Sequence, residues 1–323
     1  MKKAIPTIIL VILLIAFLNT SHVALASNDK PLVVCTTSVL ASIVRDLAGE
    51  SVDVKYIVSP SLCPGHYDVK PGDVETIKSA DLILAHGMEW KFGWLKSLVE
   101  AANQTGELKA YIANVTDAWN TPPALRSMYE KVASLLFEAL GLNVSANLSK
   151  CLSAIDNVEA ELRNIARENE FNETPVACML WQESFVEYLG FDVVASYGPP
   201  EKLSVKDIEN VEKNITEREA KLVIDNMHSG VDIGEKISED TGAIHVILIN
   251  FPESVVGVSN ITDMMLYNAR ILADSLKYYE YKAEIDVYKA DVNLWRGATI
   301  GVTLLAIVEG IALVLLVRRR ISG

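Results

Sequence analysis

The sequence predicts an α/β protein: two parallel-sheet lobes linked by one long helix, followed by a C-terminal transmembrane helix. Three observations carry that expectation. Short apolar runs bounded by turn residues alternate with helical patterns through the middle of the chain. An apolar stripe at helical spacing crosses the midpoint. A nearly all-apolar run from Ala298 to Val317 precedes Arg318, Arg319 and Arg320.

Residues 1–27 read as a secretory signal peptide. Lys2 and Lys3 precede the apolar run Ile8–Leu18, and Ala24-Leu25-Ala26 is a small-x-small cleavage pattern. An uncleaved N-terminal anchor is the alternative. No Cys follows the run, so a bacterial-type lipid anchor is not expected.

The first lobe is expected over 28–146. Its strands are Leu32–Thr37, Val52–Val58, Leu82–Ala85 and Tyr111–Val115. The linking helix is expected over 147–170, with Leu148, Cys151, Leu152, Ile155, Val158, Leu162 and Ile165 on one face. Such a rod is roughly 34 Å long, and Glu159 and Arg163 form a favourable i,i+4 pair on it. The second lobe is expected over 171–290, with strands Val176–Leu180, Val193–Ser196, Leu222–Asp225 and His245–Phe251.

The two halves read as a diverged repeat. Val33-Val34-Cys35 matches Val176-Ala177-Cys178, and Asp73-Val74-Glu75 before one strand matches Asp207-Ile208-Glu209 before another. In both cases an acidic residue opens a helix, where the helix dipole favours it. A ligand of two such lobes is expected between them, at the C-terminal ends of the strands.

The membrane span is expected over 297–317, long enough to cross about 30 Å of hydrocarbon. The arginines assign 318–323 to the cytoplasm and the bulk of the chain to the outside. Glu309 interrupts the span at a cost of about 2.5–3.5 kcal/mol. It reads equally as a contact to a partner helix or as a tolerated, protonated side chain.

The formal charge of −13 speaks against a nucleic-acid partner and biases the surface toward cations. Asn103, Asn114, Asn143, Asn147, Asn172, Asn214 and Asn260 each open an N-x-S/T triplet, the pattern of surface glycosylation. With no lipid-anchor Cys, these triplets point to a single-pass protein of an archaeal-type cell surface. There is no G-x-S-x-G elbow, phosphate-binding Gly loop or H-E-x-x-H, so no enzyme is expected.

Several stretches resemble the solute-binding proteins of zinc and manganese ABC importers. The most specific is Pro64-Gly65-His66-Tyr67-Asp68-Val69-Lys70-Pro71-Gly72-Asp73, which looks like that family's metal-ligand loop. Ala80–Gly87 resembles the following strand, and Asp263–Asn268 the opening of the last helix. The resemblance implies a metal ion, manganese or zinc, carried between two lobes, with an ABC permease and its ATPase as partners. It implies metal ligands at His66, Asp117, Gln182 and Glu253, where Asp117 and Gln182 replace histidines of the family pattern. One nitrogen and three oxygen-bearing side chains suit manganese better than zinc.

Other residues are candidates for the same site. Cys63 stands three before His66, His86 ends a strand, and His228 follows one. Cys63 reads equally as a disulfide partner, whereas Cys35 and Cys178 lie inside β runs and read as buried apolar residues. Trp119 and Trp181 stand at or beside the ligand positions. A Trp-lined cleft would stack a flat organic solute or a metal complex instead of a bare ion. A metal-dependent hydrolase and a structural surface glycoprotein are the remaining readings.

Truncating the chain after Trp295 is expected to release the ectodomain into the medium. Fractionation of the truncated protein tests this, and retention on the membrane would disprove a C-terminal anchor.

Overall fold

The computed structural model describes residues 30–321, apart from 105 and 107. The expected signal segment lies outside the described residues. The first lobe runs β1 (Leu32–Cys35), α1 (Ser38–Ala48), β2 (Asp53–Tyr56), α2 (Pro71–Lys78), β3 (Leu82–Ala85), α3 (Met88–Lys91), α4 (Trp94–Ala102) and β4 (Tyr111–Asn114). Two long helices follow, α5 (Pro122–Leu140) and α6 (Ser145–Glu168). The second lobe runs β5 (Pro175–Met179), α7 (Leu180–Tyr188), β6 (Asp192–Tyr197), α8 (Val205–Arg218), β7 (Leu222–Asn226), α9 (Asp232–Thr241) and β8 (Ile244–Leu248). It ends in α10 (Ile261–Ile321).

All eight expected strands form, and every pairing is parallel. The sheet orders are β2-β1-β3-β4 and β6-β5-β7-β8, the same topology twice. The repeat extends to the helix starts. Asp73 accepts the backbone N–H of Lys70 at 2.7 Å, and Asp207 accepts that of Ser204 at 2.9 Å. Each acid thereby satisfies a donor that the helix itself leaves unpaired. β8 stops at Leu248, short of the expected Phe251, because the Asn268 side chain takes over the backbone of Ile249. Asn268 Oδ1 accepts the Ile249 N–H at 3.1 Å, and its Nδ2 donates to the Ile249 carbonyl at 2.8 Å.

Alternation along each buried strand separates two cores per lobe. In β1 and β3, Val33, Cys35, Leu82 and Leu84 face one side, while Val34, Ile83 and Ala85 face the other. In β5 and β7, Val176, Cys178, Leu222 and Ile224 face one side, while Ala177, Met179 and Val223 face the other. The first sides of both sheets belong to one continuous apolar core. Ile155 and Leu162 of α6, Leu125 and Val132 of α5, and Met264, Met265 and Leu272 of α10 complete it. The lobes therefore share a core along one face of the molecule, with α6 as the strut.

Helix α5 adds an element to those expected from the sequence; paired prolines, Pro122 and Pro123, open it, where missing N–H groups cost nothing. Arg126 of α5 binds Asp156 and Glu159 of α6, and Glu159 also takes Arg163 and the hydroxyl of Tyr188 in α7. The expected i,i+4 pair is thus one arm of a network that ties three helices.

All four cysteines are free thiols, so Cys63 is not disulfide-bonded. Among the sequon residues, Asn147 donates its side-chain amide to the Leu47 carbonyl at 2.8 Å and is engaged inside the fold instead of presenting that nitrogen to a glycan. The last lobe helix and the expected span are one uninterrupted helix of 61 residues, about 90 Å long. Its apolar portion is long enough to cross a membrane and is unburied by the rest of the protein.

Gly234 in α9 packs against buried Asp225, which is held by Tyr197 Oη at 2.8 Å and His245 Nε2 at 2.7 Å. A Cβ on Gly234 would lie 2.0 Å from Asp225 Oδ2. Gly→Ala inside a helix normally gains about 1 kcal/mol. Here overpacking costs about 1–3 kcal/mol and reverses the sign. Gly234→Ala is therefore expected to lower the urea unfolding midpoint, and a raised midpoint would refute this packing.

Candidate functional site

The site is built where the strands of both lobes end and the lobes touch. Trp119, in the segment between β4 and α5, donates its indole N–H to the Asn250 carbonyl of the second lobe at 2.9 Å. Its ring lies 4.6 Å from the His86 ring on one side and 6.0 Å from Phe251 on another. Phe251 in turn meets His228 edge-on at 4.8 Å. A file of four rings thus runs from β3 of one lobe to the loop after β7 of the other. Gln182 of α7 joins it by donating Nε2 to Asn250 Oδ1 at 2.9 Å.

The file is short of hydrogen-bond partners. His86 Nδ1, Gln182 Oε1 and His228 Nε2 are buried with no hydrogen-bond partner, and so is Glu89 Oε2. Buried polar atoms are paired in the great majority of cases, so these four stand out among the described residues, where Ser42 Oγ is the fifth. His86 Nε2 is held by Thr37 Oγ1 at 2.7 Å, and Glu89 Oε1 accepts the Thr36 hydroxyl and the His86 backbone N–H. The carbonyls of Val115 beside His86 and of Pro60 beside His228 favour the protonated rings, without hydrogen-bonding geometry at the orphaned nitrogens. Burial outweighs them and pushes both imidazoles down to about 4. Both rings are accordingly neutral at neutral pH, the protonation state in which imidazole binds a metal.

The four positions implied by the resemblance do not gather into one ligand group. His66 sits in the short turn Pro64–His66 with its side chain 65 % exposed, and faces Glu201 of the second lobe at 3.7 Å. Asp117 accepts the Ser127 hydroxyl at 2.9 Å within the first lobe. Glu253 is taken by Arg45 of α1 and by the Tyr56 hydroxyl of β2, at 3.1 Å. Its backbone is left-handed, with φ at 69°, which a non-glycine residue adopts at a cost. That turn aims the carboxylate across the lobe boundary. Among the described residues no three His, Cys, Asp or Glu side chains lie close enough to hold a metal ion. His66, Asp117 and Glu253 each face a different partner: Glu201, Ser127, and Arg45 with Tyr56. Gln182 alone of the four lies on the ring file.

The additional candidates divide. His86 and His228 are on the file, and the strand-end placement read from the sequence is what brings them there. Trp119 is on it too, but His86 and Phe251 occupy its ring. Trp181 is half exposed, and its carbonyl accepts the Asn120 amide at 3.4 Å. Cys63 is half-buried beside Gly65. Sequence reasoning missed Asn250, Glu89, Thr37 and Phe251. Only Phe251 and Asn250, next to the Pro252-Glu253 turn, carried a signal that could have found them. Ser38 Oγ donates to the Pro252 carbonyl at 2.8 Å, so this turn is clasped from both sides.

Comparison with known proteins places this geometry. A Mn-bound periplasmic metal-binding protein from candidatus Liberibacter asiaticus superposes with a TM-score of 0.66 over 76% of this chain and 100% of its own, at 17% identity. A crystal structure of ZnuA superposes at 0.64, covering 77% of this chain and 100% of its own, at 16% identity. Curated relatives include the manganese ABC transporter substrate-binding lipoprotein PsaA of Streptococcus mitis, 38% identical over 91 residues, or 27% of this chain. The iron ABC transporter substrate-binding lipoprotein MtsA of Streptococcus pyogenes serotype M1 is 35% identical over 83 residues, or 25% of this chain. The chain spans only 29% and 27% of the lengths of these two relatives. The sequence model of ZnuA, the periplasmic zinc-uptake complex component A, matches residues 33–275, and this chain belongs to that family.

Proposed function

We propose that this chain is the extracytoplasmic, membrane-tethered substrate-binding component of an ABC importer, and that it captures a divalent metal ion, manganese or zinc, between its two lobes. An ABC permease and its ATPase are its partners, the residues after the apolar span are cytoplasmic, and the chain performs no chemistry on its cargo. The observation that carries the reading is the pair of buried, neutral imidazoles with an unpaired ring nitrogen, one from each lobe, in a chain of this family. His86, Gln182 and His228 are the capture residues in this proposal. His66, with Glu201, and Glu253, with Arg45 and Tyr56, form the rim where the lobes meet.

Ion entry requires the lobes to part. Parting breaks the Trp119–Asn250 and Ser38–Pro252 hydrogen bonds and the Arg45–Glu253 pair. Each neutral hydrogen bond contributes about 1 kcal/mol, so a few kcal/mol of cargo binding offsets the rearrangement. The shared core under α6 limits the motion to a small hinge. A flat organic solute or a metal complex stacked on Trp119 fits less well, because both His86 and Phe251 already pack on that ring.

Elemental analysis of the protein equilibrated with manganese or zinc tests the assignment. His86→Ala and His228→Ala are each expected to weaken metal binding roughly tenfold or more, while His66→Ala has a smaller effect. Loss of binding in His66→Ala, with both other variants binding normally, would return the site to the family positions. No bound metal in any form of the protein, with an organic molecule co-purifying, would overturn the metal reading.

Acid is expected to destabilise the fold through the same rings. The folded-state value near 4 lies below the ordinary 6.5, so the unfolded chain binds more protons between those values. Stability is therefore complete above about pH 6.5 and declines as pH falls toward about 4, by about 3 kcal/mol for a fully buried ring. Urea midpoints at pH 7.5, 5.5 and 4.5 check this. In His86→Asn the decline in that window is expected to shrink, and an unchanged decline would show that His86 is not the group responsible.

A further inference from the structure

The segment of α10 between the second lobe and the apolar span carries a second pattern. Tyr278, Tyr281, Ile285, Tyr288, Val292 and Trp295 follow one another at spacings of three, four, three, four and three. That is an unbroken a/d seam of a coiled coil, with a at 278, 285 and 292 and d at 281, 288 and 295. Five of the six are more than half exposed: Tyr278 60%, Tyr281 64%, Ile285 51%, Tyr288 70% and Trp295 72%. Among the described residues, no other segment covers this face. On the adjoining face, Tyr279 lies under the Lys221 ammonium and Lys282 donates to the Gly242 carbonyl. The side toward the lobe is thus about 100° around the helix from the seam, which leaves the seam open to a partner.

The flanking charges say which partner. In this register the g positions are Lys277, Glu284 and Asp291, and the e positions are Lys282, Lys289 and Arg296. Side by side and parallel, two copies of this helix set each g residue against the e residue five positions on in the other copy. The pairs are Glu284 with Lys289 and Asp291 with Arg296, opposite in sign both ways across the two-fold axis. The remaining pair, Lys277 with Lys282, is relieved because Lys282 turns to Gly242. Lys289 lies 3.7 Å from Asp286 of its own helix, an exposed contact that leaves it free to exchange partners. β-branched Ile285 and Val292 at a favour two strands over three.

We propose that the stalk from Tyr278 to Trp295 is a parallel coiled-coil homodimer, so that two clamps are presented on one paired stem. Eighteen residues make a rod of about 27 Å, too short to associate strongly in dilute solution. Confinement of both helices to one membrane raises their effective concentration and fixes their parallel direction. That orientation rests on the membrane tether proposed above, which truncation after Trp295 tests separately.

Disulfide cross-linking of the full chain in its membrane tests the proposal, in a background with Cys63→Ser and Cys151→Ser. The two remaining cysteines are buried. Ile285→Cys and Val292→Cys, both on the seam, are each expected to give a covalent product of twice the chain mass. Ala283→Cys, at the opposite f position, is expected to give none. Reversing the g charges with Glu284→Lys and Asp291→Arg is expected to reduce the seam product to the level of the Ala283→Cys control. Adding Lys289→Glu and Arg296→Asp restores the opposite-sign pairs and is expected to restore the product. Equal cross-linking at 283 and 285 means random collision and overturns the proposal. So does product at 285 alone, which is the antiparallel arrangement, and so does an adduct whose mass identifies a different protein. A reversal with no effect, or a fourfold variant that does not recover, also overturns it.

Discussion

The apolar core that runs beneath both sheets constrains everything else in this protein. Val33 and Leu82 of one lobe and Val176 and Leu222 of the other face the same side of the molecule, and α5, α6 and α10 lie across them. Leu162 and Ile155 of α6 are fully withdrawn from water, as are Met264 and Leu272 of α10. To swing the lobes widely would open this core at about 25 cal/mol for each Å² exposed. Trp119 and Phe251 pack against this same core, and the polar contacts between the lobes begin at its edge.

Unsatisfied groups lie beside this ring file. Buried orphan atoms cost about 1–3 kcal/mol each, and His86, Gln182 and His228 each carry one. Thr37 fixes the His86 ring from one nitrogen and leaves the other bare, while Asn226 accepts at the Nδ1 edge of His228 and leaves Nε2 bare. Each ring is therefore oriented through one of its nitrogens. The left-handed turn at Glu253 belongs to the same boundary. It brings a carboxylate to Arg45 and Tyr56 of the first lobe, so a strained backbone and a cross-lobe ion pair latch the rim.

The helix that closes the core also leaves the fold. α10 starts as a packed helix of the second lobe and continues without interruption into an apolar portion that the rest of the described protein does not bury. Helical hydrogen bonds carry the register of the lobe directly into the stalk. The orientation of the clamp about the helix axis is thereby fixed relative to the seam of Tyr278, Ile285 and Val292. A flexible linker would have lost that relation within a few residues.

Sequence periodicity determined the sheets, the strut and the apolar span. Strands buried on both faces read as short apolar runs, and the stripe from Leu148 to Ile165 has a single helical interpretation. The paired starts at Asp73 and Asp207 exposed the repeat because the chemistry of a helix N-terminus is local. The site was legible only in part. His86, His228 and Trp119 stood at strand ends, where parallel sheets place ligands, and the structure brings them to one seam. Of the positions transferred from the resemblance, Asp117 and Gln182 depart from the family pattern while His66 and Glu253 keep it. What those residues touch is decided by partners 10 to 208 positions away, Ser127 for Asp117 and Arg45 for Glu253. Glu89 and Thr37 carried no signal, since a buried carboxylate and hydroxyl look like surface residues until the chain closes over them. Local pattern fixes which elements form. Only tertiary contact decides which polar atoms end up paired and which are left bare at the lobe boundary.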